Sequence, residues 1–144
     1  EAAASWLADR APRLSTQARA GLLEPVLALL NEPLGQRLFG PAAEAEVAVA
    51  GAIPHPDGRR LRVAGRIDRL LVEPDRVTVV DFKTGRPPPA GAAMPGHIVQ
   101  LALYAALLAQ LYPDRRIEAA LVWIQQGRID RIDAKCLDDA ITLL

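Results

Sequence analysis

The fold is decided by the stretch GRIDRLLVEPDRVTVVDFKTG, residues 65–85. Val, Ile and Leu dominate both of its halves, which predicts two neighbouring strands at 61–73 and 76–83. Glu73–Arg76 separates them with the sequence Glu-Pro-Asp-Arg. Pro at the second and Asp at the third position suit a type I turn, so the stretch is predicted to form a β-hairpin.

The hairpin predicts a pair of facing carboxylates. Symmetric closure at the turn puts Asp68 directly opposite Asp81, and strand alternation puts Lys83 on the face of Asp81. Opposed residues have Cβ atoms roughly 4.5–5.5 Å apart, where like charges repel, so a cation is expected between them. Carboxylate oxygens favour Mg²⁺, with Mn²⁺ able to substitute. Two alternatives stay open: a solvated Asp-x-Lys surface, and a turn of another length that shifts Asp68 to the opposite face.

The second strand favours the cation hypothesis. Residues 77–80 read Val-Thr-Val-Val, a nearly continuous apolar run that indicates a strand buried on both faces. Asp81 follows this run directly, and a buried charge without a partner is costly. We therefore expect Asp81 to have a positively charged neighbour.

Three motifs resemble the RecB-type nuclease domain of the PD-(D/E)xK superfamily, and within it the nuclease domain of AddA-type helicase–nucleases. They are Gly-x-x-Asp ending at Asp68, Val-Asp-x-Lys-Thr at 80–84, and Gln-x-x-x-Tyr at Gln100 and Tyr104. The resemblance covers most of the chain. It implies an α/β fold with a restriction-endonuclease-like core, in which a mixed β-sheet is flanked by helices.

The resemblance also implies roles for the hairpin residues. Asp68, Asp81 and the backbone carbonyl of Phe82 would hold one or two Mg²⁺ ions. Lys83 would orient the attacking water, although a purely structural ion pair is its alternative role. Glu46, on a neighbouring predicted strand, is a further candidate that would bind metal through a water molecule, and its alternative is a simple edge-strand charge.

The helical motif carries a further pair of candidates. Gln100 and Tyr104 are four residues apart, so they share one face of a helix. The resemblance implies that this face turns toward the active site, where the two side chains would contact DNA or orient Lys83. Taken without the resemblance, they read as boundary residues of an ordinary helix, and Trp123 reads as a core residue.

The charge of the chain does not by itself indicate a nucleic-acid partner. The sequence has 17 basic and 17 acidic residues, whereas phosphate contacts dominate the affinity of DNA-binding proteins. Arg62, Arg66 and Arg69 lie in the first hairpin strand and are the candidates for DNA binding. Uninterrupted alternation would place Arg62 and Arg66 on the face of Asp68. Solvated ion pairs with acidic neighbours are an equal alternative.

Length and composition predict a single nuclease domain over residues 1–144. The one cysteine, Cys136, excludes a four-cysteine iron–sulfur cluster and is interpreted as an inert, partly buried residue. No apolar run is long enough for a membrane span and no signal peptide is recognisable, so a cytoplasmic location without a membrane partner is expected. RecB-type domains carry a metal-binding histidine on an upstream helix. Neither His55, in a Pro/Gly-rich loop, nor His97, at the start of a later helix, matches it, so the chain is expected to be a fragment that begins after that helix.

The remaining elements follow from periodicity and from turn residues. A capping residue at Ser15 or Thr16 is expected before the second helix. The stretch 86–96, rich in Pro and Gly, is expected to lack regular structure. The other predictions are helices at 2–10, 16–31, 97–112 and 136–144, and strands at 46–52, 117–125 and 128–133.

Two functions of different class are compatible with these observations. The first is a metal-dependent DNA nuclease domain of an ATP-dependent helicase–nuclease, which processes double-strand break ends together with a second subunit. The second is a catalytically silent module that keeps the nuclease fold and clamps DNA or a partner subunit. Intact Asp68, Asp81 and Lys83 favour the nuclease.

Overall fold

The computed structural model of the protein describes residues 1–89 and 95–144. The expectation of irregular structure at 86–96 lies partly outside these residues, and Pro95 already belongs to a helix. The helices are α1 (Ala2–Arg10), α2 (Thr16–Asn31), α3 (Pro33–Leu38), α4 (Pro95–Leu111) and α5 (Ala134–Thr142). The strands are β1 (Ala43–Pro54), β2 (Arg60–Val72), β3 (Arg76–Lys83), β4 (Arg116–Trp123) and β5 (Arg128–Ile132), and a short 3₁₀ helix (Ile124–Gln126) joins the last two.

The five strands form one mixed sheet in the order β1-β2-β3-β4-β5. β3 and β4 run parallel, and α4 lies between them in the chain, as a parallel pair requires a crossover connection. The other neighbours are antiparallel. The predicted α/β class with a mixed sheet is therefore confirmed.

Helices cover both faces of the sheet. On one face, α4 packs against β3 and β4 through a cluster that includes Val79, Leu101 and Leu121, and α5 packs against α4. On the other face, Leu38 of α3 packs with Val80, next to Leu29 of α2. β3 is thus buried on both faces, as its apolar run predicted. Its last residues, Phe82 and Lys83, are partly exposed.

Local sequence explains most of the element boundaries. Ser15 caps α2 by accepting a hydrogen bond from the backbone N–H of Ala18 at 3.1 Å, which confirms the expected cap. The Pro-Asp turn closes the β2–β3 hairpin, where the N–H of Glu73 donates to the carbonyl of Arg76 at 2.9 Å. Helix α3 was not anticipated. It depends on close packing at Gly35, where a Cβ atom would meet the carbonyl oxygen of Leu29 at 1.8 Å.

The β1–β2 ladder is interrupted at Glu46 and Asp68. Pairs on both sides keep one register, from Ala45 with Arg69 to Val47 with Ile67, and the two residues between them are unpaired. Glu46 has a φ of 56°, in the left-handed region. Ile67 and Leu70 pack into the same core cluster although they are three residues apart, so the face that β2 presents to the core changes here.

This interruption corrects one expectation. Arg62 and Arg66 lie on the face of β2 opposite Val63 and Ile67, which are buried against α4. The side chains of β2 do not alternate regularly through the interruption, so the prediction that Arg62 and Arg66 share the face of Asp68 is wrong.

Two further observations concern the whole chain. Cys136 is exposed, so its interpretation as partly buried is wrong. It lies in the first turn of α5, whose buried residues are Leu137 and Ala140. Within the described residues, none of the helices combines the length and the apolar character that a membrane span needs.

Candidate functional site

The site lies where β3 ends. Asp81 and Lys83 follow the buried valines of this strand and share its α4-side face. The Lys83 ammonium nitrogen lies 2.5 Å from Oδ2 of Asp81, and only 9% of the Asp81 side chain is exposed. The positively charged neighbour expected for Asp81 is therefore Lys83, the lysine of the same motif. The divalent cation expected between Asp68 and Asp81 stays a prediction.

Asp68 joins this pair across the hairpin. The ladder pairs Leu70 with Val79 and Arg69 with Val80, so the next pair outward on this register is Asp68 with Asp81. The paired ladder ends just before this position, and Oδ2 of Asp68 accepts a hydrogen bond from the backbone N–H of Phe82 at 2.7 Å. This bond fixes the Asp68 carboxylate against β3.

Burial sets the electrostatics of Asp81. Desolvation raises the pKa of its carboxyl group above the usual 3.8, Lys83 acts in the opposite direction, and the nearby charge of Asp68 raises the pKa further. Two neighbouring carboxylates with one lysine leave excess negative charge in a partly buried place. An added cation would relieve this repulsion.

The donor set fits a hard divalent cation. Two carboxylates and the Phe82 carbonyl are oxygen ligands of the kind that Mg²⁺ prefers. The buried Oδ2 of Asp81 has no partner in hydrogen-bonding geometry in the described part of the protein, despite its closeness to Lys83. Across residues 1–89 and 95–144, however, no three His, Cys, Asp or Glu side chains converge on one point. Waters, backbone oxygen and substrate would therefore complete the coordination.

Tyr104 supports the strand that carries Asp68. Its side chain is buried, and its hydroxyl donates to the carbonyl of Arg66 at 3.3 Å. The ring lies so close to Gly65 that an added Cβ atom would stand 2.2 Å from the hydroxyl oxygen. The glycine of Gly-x-x-Asp and the tyrosine of Gln-x-x-x-Tyr are therefore in direct contact. Gln100, one turn earlier on α4, is half-buried.

The remaining candidates have other partners or lie exposed. Glu46 is 64% exposed, and its carboxylate is 3.4 Å from the guanidinium of Arg66. Arg69 donates to the carbonyl of Leu38 at 2.8 Å, which anchors α3 to β2. Arg62 is exposed on the open face of β2. The roles of these residues in metal or DNA binding stay predictions.

Sequence reasoning considered His97 only as a match for the upstream metal-binding histidine, rejected it, and assigned it no role at the site. Its ring centroid lies 5.9 Å from that of Trp123, and Trp123 is the register partner of Lys83 across the β3–β4 pair. His97 thus stands beside the carboxylate and lysine pair, at the start of α4. A signal was present in the sequence: His97 precedes Gln100 by three residues, on the same helix face.

Comparison with known proteins identifies the class. The family model of the PD-(D/E)XK nuclease superfamily matches residues 1–139, and the chain belongs to this superfamily. The described geometry, with Asp68, Asp81 and Lys83 together at the end of β3, agrees with the motif for which that superfamily is named.

A particular relative is an ATP-dependent helicase/nuclease subunit of Desulforudis audaxviator (strain MP104C). It is 33% identical over 137 residues, an alignment that covers 84% of this chain and 11% of the relative. The chain therefore spans about a tenth of the length of the curated relative it matches. Among solved structures, "Crystal structure of SSO0001" aligns with a TM-score of 0.45 and 22% identity, over 95% of this chain and 66% of that one.

Proposed function

We propose that the chain is a Mg²⁺-dependent deoxyribonuclease domain, which hydrolyses phosphodiester bonds of DNA and accepts Mn²⁺ in place of Mg²⁺. The observation that carries the proposal is the buried Asp81–Lys83 pair, with Asp68 held beside it by the N–H of Phe82. The match to the nuclease superfamily over residues 1–139 supports it.

Each residue has a separate task in this proposal. Asp68, Asp81 and the carbonyl of Phe82 would hold the cation, which supplies Lewis-acid polarisation of a phosphoryl oxygen and a more acidic water. Lys83 orients the attacking water and places positive charge where the transition state gains negative charge. Its salt bridge to Asp81 holds the ammonium group in position before substrate arrives.

The helix residues and the arginines complete the proposed site. Tyr104 holds β2 through the carbonyl of Arg66, and Gln100 lies on the same helix face, from which its amide would reach DNA or Lys83. Arg62, Arg66 and Arg69 are proposed to contact the DNA backbone along β2.

We further propose that this domain serves a helicase–nuclease. The relative from Desulforudis audaxviator is named as part of an ATP-dependent helicase/nuclease, which supports this assignment. The full protein would act as an exonuclease on double-strand break ends, in recombinational repair, in the bacterial cytoplasm and with a second subunit. Residues 1–144 would form its nuclease domain, as a single folded unit.

Cleavage of end-labelled single-stranded DNA in Mg²⁺ tests the proposal. Asp81→Asn removes a central carboxylate, and Asp75→Asn is its matched control. Asp75 lies in the turn at the other end of the same hairpin, with a side chain that is 62% exposed. We expect cleavage by the native chain and by Asp75→Asn, and loss of cleavage in Asp81→Asn or on chelation of the metal. Equal rates for the native chain and Asp81→Asn would refute the proposal.

A second function, the silent clamp, is favoured by one observation. In the described part of the chain, no three His, Cys, Asp or Glu side chains are arranged to hold a metal ion together. If the native chain cleaves no DNA in Mg²⁺ or Mn²⁺ but still binds the same DNA measurably, the clamp is supported.

A further inference from the structure

We propose that His97 is a further catalytic residue, which donates a hydrogen bond from Nε2–H to a non-bridging oxygen of the scissile phosphate. The inference rests on the proposed nuclease function, since it assigns a substrate contact within the same site.

The position of His97 follows from the sheet. β3 and β4 are parallel, and ligands of such sheets bind outside the carboxyl ends of the strands. Lys83 and Trp123 are register partners at these ends. His97 lies in the first turn of α4, and its ring packs on Trp123 with a centroid distance of 5.9 Å and an interplanar angle of 57°. The imidazole therefore borders the space into which Lys83 projects.

Trp123 is a rigid support for this imidazole. It is 2% exposed, and its indole N–H donates to Oδ2 of Asp130 at 2.9 Å. Arg128 holds Asp130 in turn, with nitrogen–oxygen distances of 2.6 and 2.8 Å. A ring that packs on an indole fixed in this way has a defined orientation, as a substrate contact requires.

Burial decides which nitrogen of His97 carries the proton. Nδ1 is buried and has no hydrogen-bond partner within residues 1–89 and 95–144. A neutral imidazole has one N–H, and buried N–H groups without an acceptor are rarer in proteins than buried acceptors without a donor. The proton is therefore placed on Nε2. Burial first, and the charge of Lys83 second, lower the pKa of His97, so the ring is neutral at pH 7.

The surroundings favour an anion rather than a metal as the partner of Nε2–H. A nitrogen that carries its proton cannot ligate a cation, and His97 belongs to no group of three convergent His, Cys, Asp or Glu side chains in the described part. Lys83 and the start of α4 both add positive potential near His97. A phosphate oxygen, which accepts hydrogen bonds, fits this place.

Two substitutions separate the hydrogen bond from the packing. His97→Phe keeps an aromatic ring against Trp123 and removes the donor, whereas His97→Gln restores an N–H at the distance of Nε2. Loss of a hydrogen bond to a charged group predicts a fall of roughly tenfold or more in kcat/KM for His97→Phe, with most of it recovered by His97→Gln. Cleavage by His97→Phe at the native rate, in a variant with unchanged thermal stability, would overturn the inference.

Nitrogen-15 NMR of the imidazole gives a readout that does not need turnover. The sequence has two histidines, so His97→Phe assigns the signals. A phosphorothioate-linked oligothymidylate, which resists hydrolysis, is expected to shift the Nε2 resonance of His97 and to leave that of His55 unchanged. An unshifted Nε2 resonance at saturating oligonucleotide would refute the contact. Failure of the native chain to cleave DNA would count against the nuclease proposal, while the NMR titration still decides the phosphate contact.

Discussion

Gly65→Ala tests the contact that joins two of the sequence motifs. The added Cβ atom would stand 2.2 Å from the hydroxyl oxygen of Tyr104 and 3.0 Å from two of its ring carbons, well inside van der Waals contact. The tyrosine ring is buried, so either the ring or β2 must move by about 1 Å. Overpacking of this kind costs about 1–3 kcal/mol.

A double-mutant cycle measured by urea denaturation isolates this contact. In a Tyr104→Ala background the clash is absent, so Gly65→Ala should cost about 1–3 kcal/mol less than in the native chain. Gly21→Ala is the matched control, because an added Cβ atom there meets nothing within 4 Å. Gly21 lies inside α2, where alanine should stabilise by roughly 0.5–1 kcal/mol. The same free-energy change for Gly65→Ala in both backgrounds would refute the reasoning.

Three further predictions concern the charged residues. Because burial raises the pKa of Asp81, its carboxyl group in the metal-free chain should titrate above 3.8, and a carbon-13 NMR titration of the metal-free chain with a midpoint at or below 3.8 would contradict this. The raised pKa also means that the stability contribution of Asp81 is fully present below pH 3.8 and is lost as the pH rises through the folded-state value. Asp81→Asn should therefore increase the free energy of unfolding at pH 7, and a decrease would show that the salt bridge to Lys83 outweighs burial. Asp130→Ala leaves the indole N–H of Trp123 buried without its acceptor and should lower the free energy of unfolding, measured by urea denaturation, by about 1–3 kcal/mol. The control Asp114→Ala, at an exposed residue, should change it by no more than about 0.5 kcal/mol. Equal effects of the two substitutions would contradict the support assigned to Trp123.

The hairpin was predictable because its information is local. The Pro-Asp turn fixes the loop length, and the apolar runs on either side fix the strands, so the register that pairs Leu70 with Val79 followed from the sequence. The burial of β3 on both faces followed from the run at 77–80 in the same way. Residue patterns thus sufficed for the hairpin and for the positions of Asp68 and Asp81 within it, whereas the mixed sheet was expected from the motif resemblance.

Other features depend on tertiary contacts that no local pattern encodes. The change of face at Glu46 and Asp68 requires a left-handed backbone at a residue type that rarely adopts it, so uninterrupted alternation was the natural but wrong expectation for Arg62 and Arg66. The place of His97 beside Lys83 depends on how α4 packs on the parallel pair β3–β4. A resemblance in sequence motifs does not reveal such a neighbour.

Direct measurement of Mn²⁺ binding tests the central claim, that Asp68 and Asp81 together hold a divalent cation. Electron paramagnetic resonance counts free and bound Mn²⁺ in the native chain, in Asp68→Asn and Asp81→Asn, and in the Asp75→Asn control. We predict saturable binding by the native chain and the control, and loss of at least one bound ion in each of the other two variants. The same stoichiometry and affinity in all four proteins would contradict the assignment of this site.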